Sequence, residues 1–319
     1  APPTGSPTTV PYRGGPPEGQ VRAMYVWELS DCLYNLVSSS SYEAICNAPS
    51  YKEFQDIVIN NLKNPWNTFA PYNRIFLETN MNVLRTNPAA VREFVAKVKA
   101  AGIAVEYLDG VKTWVTSDAD MEIPIQICRD IHAYNQASKE NERFDGIHLD
   151  IEPHTLGAPW HENQNAGPGK DRYNDDFQAR LVKIFRSCKD IVAGSGTTVA
   201  WDVGSDYYHY VTDTWNELVA NPFVDYVSIM NYYDNEAGFL NGHDDMPGGV
   251  NNILASVKGA LPVVFALETI MPPYCPPEDS LWKNGTLAAE NLLGDVGRLH
   301  ANTPGCKGLA THHYGSYMI

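Results

Sequence analysis

The sequence predicts a single-domain (β/α)8 barrel of the α/β class. Three observations carry that prediction. Eight short apolar runs recur along the chain, amphipathic helical patterns separate them, and one barrel commonly fills a length of 319 residues. The runner-up is an open doubly wound sheet, and no Gly-x-Gly-x-x-Gly or phosphate-loop motif supports it.

The elements fall in order. The first 20 residues are rich in Pro, Gly and Thr and read as a flexible lead-in; residues 21–319 are the barrel. "VRAMYVWE" (21–28) is the first strand. "YKEFQDIVINNLK" (51–63) is a helix with Phe54, Ile57, Val58 and Leu62 on one side. "NRIFLET" (73–79) is the second strand. The helix "NPAAVREFVAKVKAAG" (87–102) carries its own punctuation: Asn87 caps it, Pro88 takes its first position and Gly102 closes it. Strands three and four are "IAVEYLD" (103–109) and "FDGIHLDIE" (144–152), and a helix over 175–192 follows. Strands five to seven are "TVAWDVG" (198–204), "FVDYVSIMNYYD" (223–234) and "LPVVFALET" (261–269). A helix over 287–301 leads to the last strand, "KGLATHHY" (307–314). Strict alternation of strand and helix implies a parallel sheet. Two long loops stand out, 29–50 and 154–172.

Composition narrows the function. The chain is 44% apolar, enough for a sizeable core, yet no run approaches the roughly 20 apolar residues of a membrane span. A net charge of −15 argues against nucleic acid and anionic membranes as partners. Nothing in the pattern calls for a second subunit, and a monomer is expected. The chain opens without Met, which fits a processed, secreted protein. Its six cysteines sit at wide spacing without a metal-type pair, as in a disulfide-bonded extracellular protein. Fifteen pairings are formally open, and sequence order suggests 32–46, 128–188 and 275–306. Asn284-Gly285-Thr286 is a glycosylation sequon.

Barrels of this kind place chemistry at the C-terminal ends of their strands. Those ends here carry Glu28, Glu78, Asp109, Asp150, Glu152, Asp202, Asn231, Tyr232, Asp234, Glu268, His312 and Tyr314. Carboxylates crowded into one mouth raise each other's pKa, a costly arrangement for a purely structural barrel. It suits glycoside hydrolysis, which needs a proton donor at the glycosidic oxygen. Aromatics such as Trp27 and Trp201 offer faces for sugar rings. The expected partner is a carbohydrate.

The fourth strand is the most informative stretch. In "FDGIHLDIEPH", His148, Asp150, Glu152 and His154 alternate with Ile147, Leu149 and Ile151, so one face is apolar and the other ionisable. "DGIHLDIE" resembles the fourth-strand signature of family 18 glycoside hydrolases, the chitinase and endo-N-acetylglucosaminidase family, written DGxDxDxE. Asp145, Gly146, Asp150 and Glu152 match it, and His148 stands at the middle Asp. "MNYYD" (230–234) is similar to that family's M-x-Y-D, with one extra residue before Asp234. The resemblance implies a (β/α)8 hydrolase of glycans with 2-acetamido sugars. In it Glu152 is general acid and base, Asp150 assists the substrate's acetamido group, and Tyr232 binds that group's oxygen. No cofactor or metal is implied. His148 is expected to act on Asp150: neutral, as a donor to it; protonated, as a cation that holds it ionised.

Three other readings stay open. A retaining glycosidase of the clan A type uses Glu152 as acid/base and Glu268 as nucleophile, with Ile151 where that clan has Asn. A metal-dependent phosphodiesterase draws ligands from His148, Asp150, Glu152, His154 and either His312 or His313. A lectin-like barrel binds sugar without cutting it.

Overall fold

The computed structural model describes residues 11–34, 48–160, 175–243 and 247–318. Eight parallel strands close into a barrel in sequence order: β1 (Val21–Val26), β2 (Arg74–Glu78), β3 (Ala104–Asp109), β4 (Gly146–Leu149), β5 (Thr198–Gly204), β6 (Tyr226–Met230), β7 (Val263–Glu268) and β8 (Cys306–His312). One principal helix follows each strand: α1 (Tyr51–Lys63), α2 (Pro88–Ala100), α3 (Asp118–Gln136), α4 (Asp175–Val192), α5 (Thr212–Ala220), α6 (Val250–Val257), α7 (Thr286–Leu299) and α8 (Tyr314–Met318). The predicted fold class and all eight strands stand.

Local chemistry explains the helix starts. The Ser50 side chain accepts from Glu53 N–H at α1 and that of Ser117 from Asp120 N–H at α3. Asn87 caps α2 by accepting from Ala90 N–H, with Pro88 at the first position. β4 is shorter than its predicted run. Its last ladder contact is Asp150 N–H to Asp109 O at 2.9 Å; Pro153, which has no N–H to give, then opens a 3-10 turn over Pro153–Leu156. The alternation past Leu149 therefore belongs to a loop.

Alternation divides the strands between two cores. Tyr25, Phe76, Leu108, Ala200, Tyr226, Val264, Ala266 and Ala310 point into the barrel. Their neighbours Met24, Leu77, Tyr107, Leu149, Trp201, Ile229 and Leu267 point out against the helices. Each large side chain buried there contributes about 1.5–3 kcal/mol.

Cys128 on α3 and Cys188 on α4 form a disulfide, as sequence order suggests. The 275–306 pairing is corrected: both are free thiols. Cys306 opens β8, whereas Cys275 lies beyond the far end of β7, so the height of the barrel separates them. Cys32 is disulfide-bonded, and Cys46 lies outside the described residues, as does most of the 154–172 loop. Residues 1–10 are not described, but 11–20 are fastened to α7: Arg13 pairs with Asp295, Arg298 donates to the carbonyls of Gly14 and Gly15, and Gln20 donates to Gly297 O.

Candidate active site

The barrel interior is built in two levels. The lower one is an ionic plug. Arg74 on β2 pairs with Glu106 on β3, Tyr226 on β6 donates to the same carboxylate, and Lys307 Nζ lies 3.6 Å from the Tyr226 ring centre. Gly146 makes room for it, because a Cβ there would stand 2.9 Å from the Glu106 side chain. Burial raises the Glu106 pKa, but His148, Arg74 and Tyr226 outweigh it and hold the carboxyl down to about 2.

His148 ties this plug to the level above. Its Nδ1 lies 3.2 Å from Tyr226 OH and 3.4 Å from Glu106 Oε2, and its Nε2 lies 2.8 Å from Asp202 Oδ1 on β5. Burial lowers the imidazole pKa, but Asp202 and Glu106 outweigh it and lift it to about 9, so both ring nitrogens carry protons at neutral pH. Asp202 also accepts from Tyr25 OH, which lies 2.6 Å from Ser228 Oγ. This overturns the expectation for His148. Both its nitrogens are engaged by β3, β5 and β6, and none is left for Asp150. Asp150 is not held ionised: burial first, then Asp202 and Glu152, push its carboxyl well above the ordinary carboxylate range.

The upper level opens to solvent. Asp150 Oδ1 is shielded and has no hydrogen-bond partner. Asp150 also packs against Gly110, where any Cβ would strike the Asp150 carbonyl at 2.0 Å. Glu152 stands above it with a 30% exposed side chain, its Oε2 3.3 Å from His154 Nε2. Glu268 on β7 is 3% exposed. Its Oε1 accepts from the N–H groups of Thr269 (2.6 Å) and Ile270 (2.7 Å), and its Oε2 pairs with His312 Nδ1 at 2.8 Å. Burial lowers the His312 pKa, yet Glu268 outweighs it and the net shift is upward. Tyr232 lies in the midst of these groups. Its ring centre is 5.9 Å from that of His312, and burial followed by Glu268, Asp202, Asp150 and Glu152 pushes its phenol far up. At the edge, Glu78 accepts from Glu28 N–H; burial, with Asp109, Glu28 and Asp31 nearby, raises its pKa to about 7.

Placement of the candidate residues follows alternation more strictly than their spacing suggested. Glu78, Asp150, Glu152, Tyr232, Glu268 and His312 meet at the mouth, and Glu28 and His154 stand at its rim. Asp234 is at the rim too, engaged by Lys283 and Asn235. His148 and Asp202 are sealed below, at 0% and 1% exposure. Four residues face outward. Trp201 packs on Phe185 and Tyr207 and donates to Ile151 O. Asn231 bridges Phe239 O and Gly249 N–H. Tyr314 OH accepts from Asn61. Asp109 accepts from Tyr107 OH and Gly110 N–H at the end of its own strand. Trp201 adjoins the inward Asp202, and Asn231 adjoins the inward Tyr232, so the first of each pair must turn away. His313 is buried, accepts from Gly315 N–H, and has its pKa pushed down to about 3 by burial and His312. Among the described residues no group of three or more His, Cys, Asp or Glu is arranged to hold a metal ion. Tyr25 is the functional neighbour that the sequence reading missed. The run "VRAMYVWE" held the signal, since Ala23, Tyr25 and Trp27 share one face.

The arrangement is an acid-mouthed (β/α)8 barrel with one accessible glutamate above a shielded aspartate. Barrels of the same fold come from family 18 glycoside hydrolases. A GH18 chitinase from Pseudoalteromonas aurantia superposes with a TM-score of 0.52 at 12% identity, over 93% of this chain and 94% of that one. The Group IV chitinase of Ostrinia furnacalis gives 0.51 at 12%, over 93% of each. A family 18 N-acetylglucosaminidase from Paenibacillus barengoltzii gives 0.51 at 12%, over 93% and 96%. At this identity the likeness establishes the fold. No protein-family model and no curated protein matches the sequence.

Proposed function

We propose that this protein is a glycoside hydrolase acting on glycans that contain 2-acetamido sugars, with Glu152 as general acid and base. The observation that carries the reading is the vertical pair at the mouth: an exposed Glu152 above Asp150, whose Oδ1 is sealed and unpartnered. Glu152 reaches a glycosidic oxygen in the cleft. Asp150 faces the acetamido group, and Tyr232 supplies a hydroxyl for its oxygen. Substrate assistance then replaces an enzyme nucleophile. The fold shared with family 18 chitinases and an N-acetylglucosaminidase supports the same substrate class. Glu268 fits the clan A alternative poorly, because both its oxygens are engaged by backbone N–H groups and His312. The Cys128–Cys188 disulfide supports an extracellular setting, and no helix among the described residues is long and apolar enough to cross a membrane.

The test is a glycan library screen with wild type and Glu152→Gln, followed by rapid-quench mass spectrometry on the best substrate. Hydrolysis of an acetamido glycan, lost in the variant and without a glycosyl-enzyme adduct, supports the reading. An adduct on Glu268 moves the mechanism to the clan A route. Sugar binding with no cleavage makes the barrel a lectin.

A further inference from the structure

The hydrolase reading makes no use of the sequon Asn284-Gly285-Thr286, nor of an apolar hollow beside it. The hollow measures about 250 Å³. Trp66, Met271, Leu281 and Trp282 line it, together with Gly285 and Thr286 of the sequon. Trp66, Met271 and Trp282 are each close to half exposed, at 47%, 48% and 47%. Single exposed apolar residues are ordinary, but three around one hollow mark a binding surface.

The sequon sits in a tight turn. Gly285 N–H donates to Trp282 O at 3.2 Å, which folds the chain back over Trp282–Gly285. Gly285 takes a φ of +79°, a conformation that glycine adopts without strain. Thr286 then starts α7. The turn sets Trp282 and Thr286 on the same hollow and leaves Asn284 exposed between them. Asn284 Nδ2 donates to Asp234 O at 2.6 Å, and Lys283 pairs with the Asp234 carboxylate, so Asn284 is rooted beside the rim of the mouth. A carboxamide has two N–H bonds. The contact with Asp234 uses one, and the other can be replaced while that contact persists.

We propose that Asn284 carries an N-linked glycan whose first N-acetylglucosamine packs on Trp282 and covers the hollow. The donor is an oligosaccharide carried on a lipid pyrophosphate. The bond from Nδ2 to the sugar C1 forms. The C1–O bond to pyrophosphate breaks, its electron pair leaves with the lipid pyrophosphate, and one amide proton is released. Transfer precedes folding, so the folded protein has only to accommodate the product, and the exposed Asn284 does so. One face of a pyranose ring is made of C–H groups. Laid on the indole, it buries apolar area that the bare protein leaves in water. The Cys128–Cys188 disulfide supports the secretory passage that the modification needs.

The test secretes the full chain from eukaryotic cells as wild type, Thr286→Ser, Thr286→Ala, Trp282→Ala and the double variant, and reads peptide masses. Wild type and Thr286→Ser are expected to carry N-acetylhexosamine on Asn284. Thr286→Ala keeps Asn284 but breaks the acceptor motif, and is expected to carry none. An unmodified Asn284 in secreted wild type overturns the site. Packing is read from melting temperatures in a double-mutant cycle, with the glycosylated forms purified on a lectin column and trimmed to the first sugar. Any effect of Thr286→Ala on the start of α7 is common to both backgrounds. The drop that it causes should therefore be larger with Trp282 present than in Trp282→Ala, by about 1–3 °C. Equal drops overturn the packing on Trp282. No readout uses catalysis, so the glycan and the hydrolase reading stand or fall separately.

Discussion

The lower and upper levels of the barrel interior are made from the same kinds of residue, yet they treat charge in opposite ways. Below, Arg74, Glu106, Tyr226, Lys307 and His148 answer one another through hydrogen bonds, ion pairs and a cation–π contact. Above, Asp150 keeps an unpartnered oxygen, as does Asp202 between the two levels, and Glu152 faces solvent. A buried network whose charges are paired holds one geometry, although Arg74 Nε in it has no partner. An unsatisfied one is costly, and function is the common reason to keep it. On the proposed function, the lower level is a floor, and the upper level the working surface that it positions.

Substitutions can break that contrast. The largest effect is expected from Glu152→Gln, which should lower kcat by about 10²–10⁴-fold on the best glycan. Its melting temperature should hold or rise, because an acid is removed from a crowded mouth. Glu106→Gln should do the reverse. It leaves Arg74 without its charge partner and should cost about 3–5 kcal/mol in denaturant unfolding. Equal losses of stability in both variants would erase the distinction between floor and surface.

Reduction of the Cys128–Cys188 bond should cost about 2–5 kcal/mol by the same measurement. The pH dependence of stability sharpens the comparison further. His148 has its pKa raised from 6.5 to about 9, so its contribution is complete below pH 6.5 and is lost as pH rises through 9. That loss is worth at most about 3 kcal/mol, and calorimetry on His148→Gln should show a flatter fall across the window. Glu106, lowered from 4.5 to about 2, acts on the acid side: its contribution is complete above pH 4.5 and is lost as pH falls through 2. The smallest effect belongs to the rim, where both partners of the Lys283–Asp234 pair are solvent-accessible. Lys283→Ala should change stability by under about 1 kcal/mol.

The sequence made the eight strands legible because each is a short apolar run between helical patterns, and the length fitted one closed barrel. It also made Glu152 and Asp150 legible, since their alternation with Leu149 and Ile151 survives past the end of the ladder. It misled where adjacent residues were both assigned to the mouth, as with Trp201 and Asp202, because a strand turns neighbours to opposite faces. The partners of His148 were out of reach for another reason. Glu106, Asp202 and Tyr226 lie on three other strands, and only barrel closure and register bring them together. Cysteine order failed at 275–306 because linear proximity says nothing about which end of a barrel each thiol occupies.

The Cys128–Cys188 bond also has a topological consequence. It joins the helix before β4 to the helix after it, so the segment that carries Asp150 and Glu152 is a closed covalent ring. A protease that nicks the chain anywhere between the two cysteines leaves a single covalent molecule. Its two pieces separate on a gel only after reduction, and until then Glu152 stays tethered to both halves of the barrel.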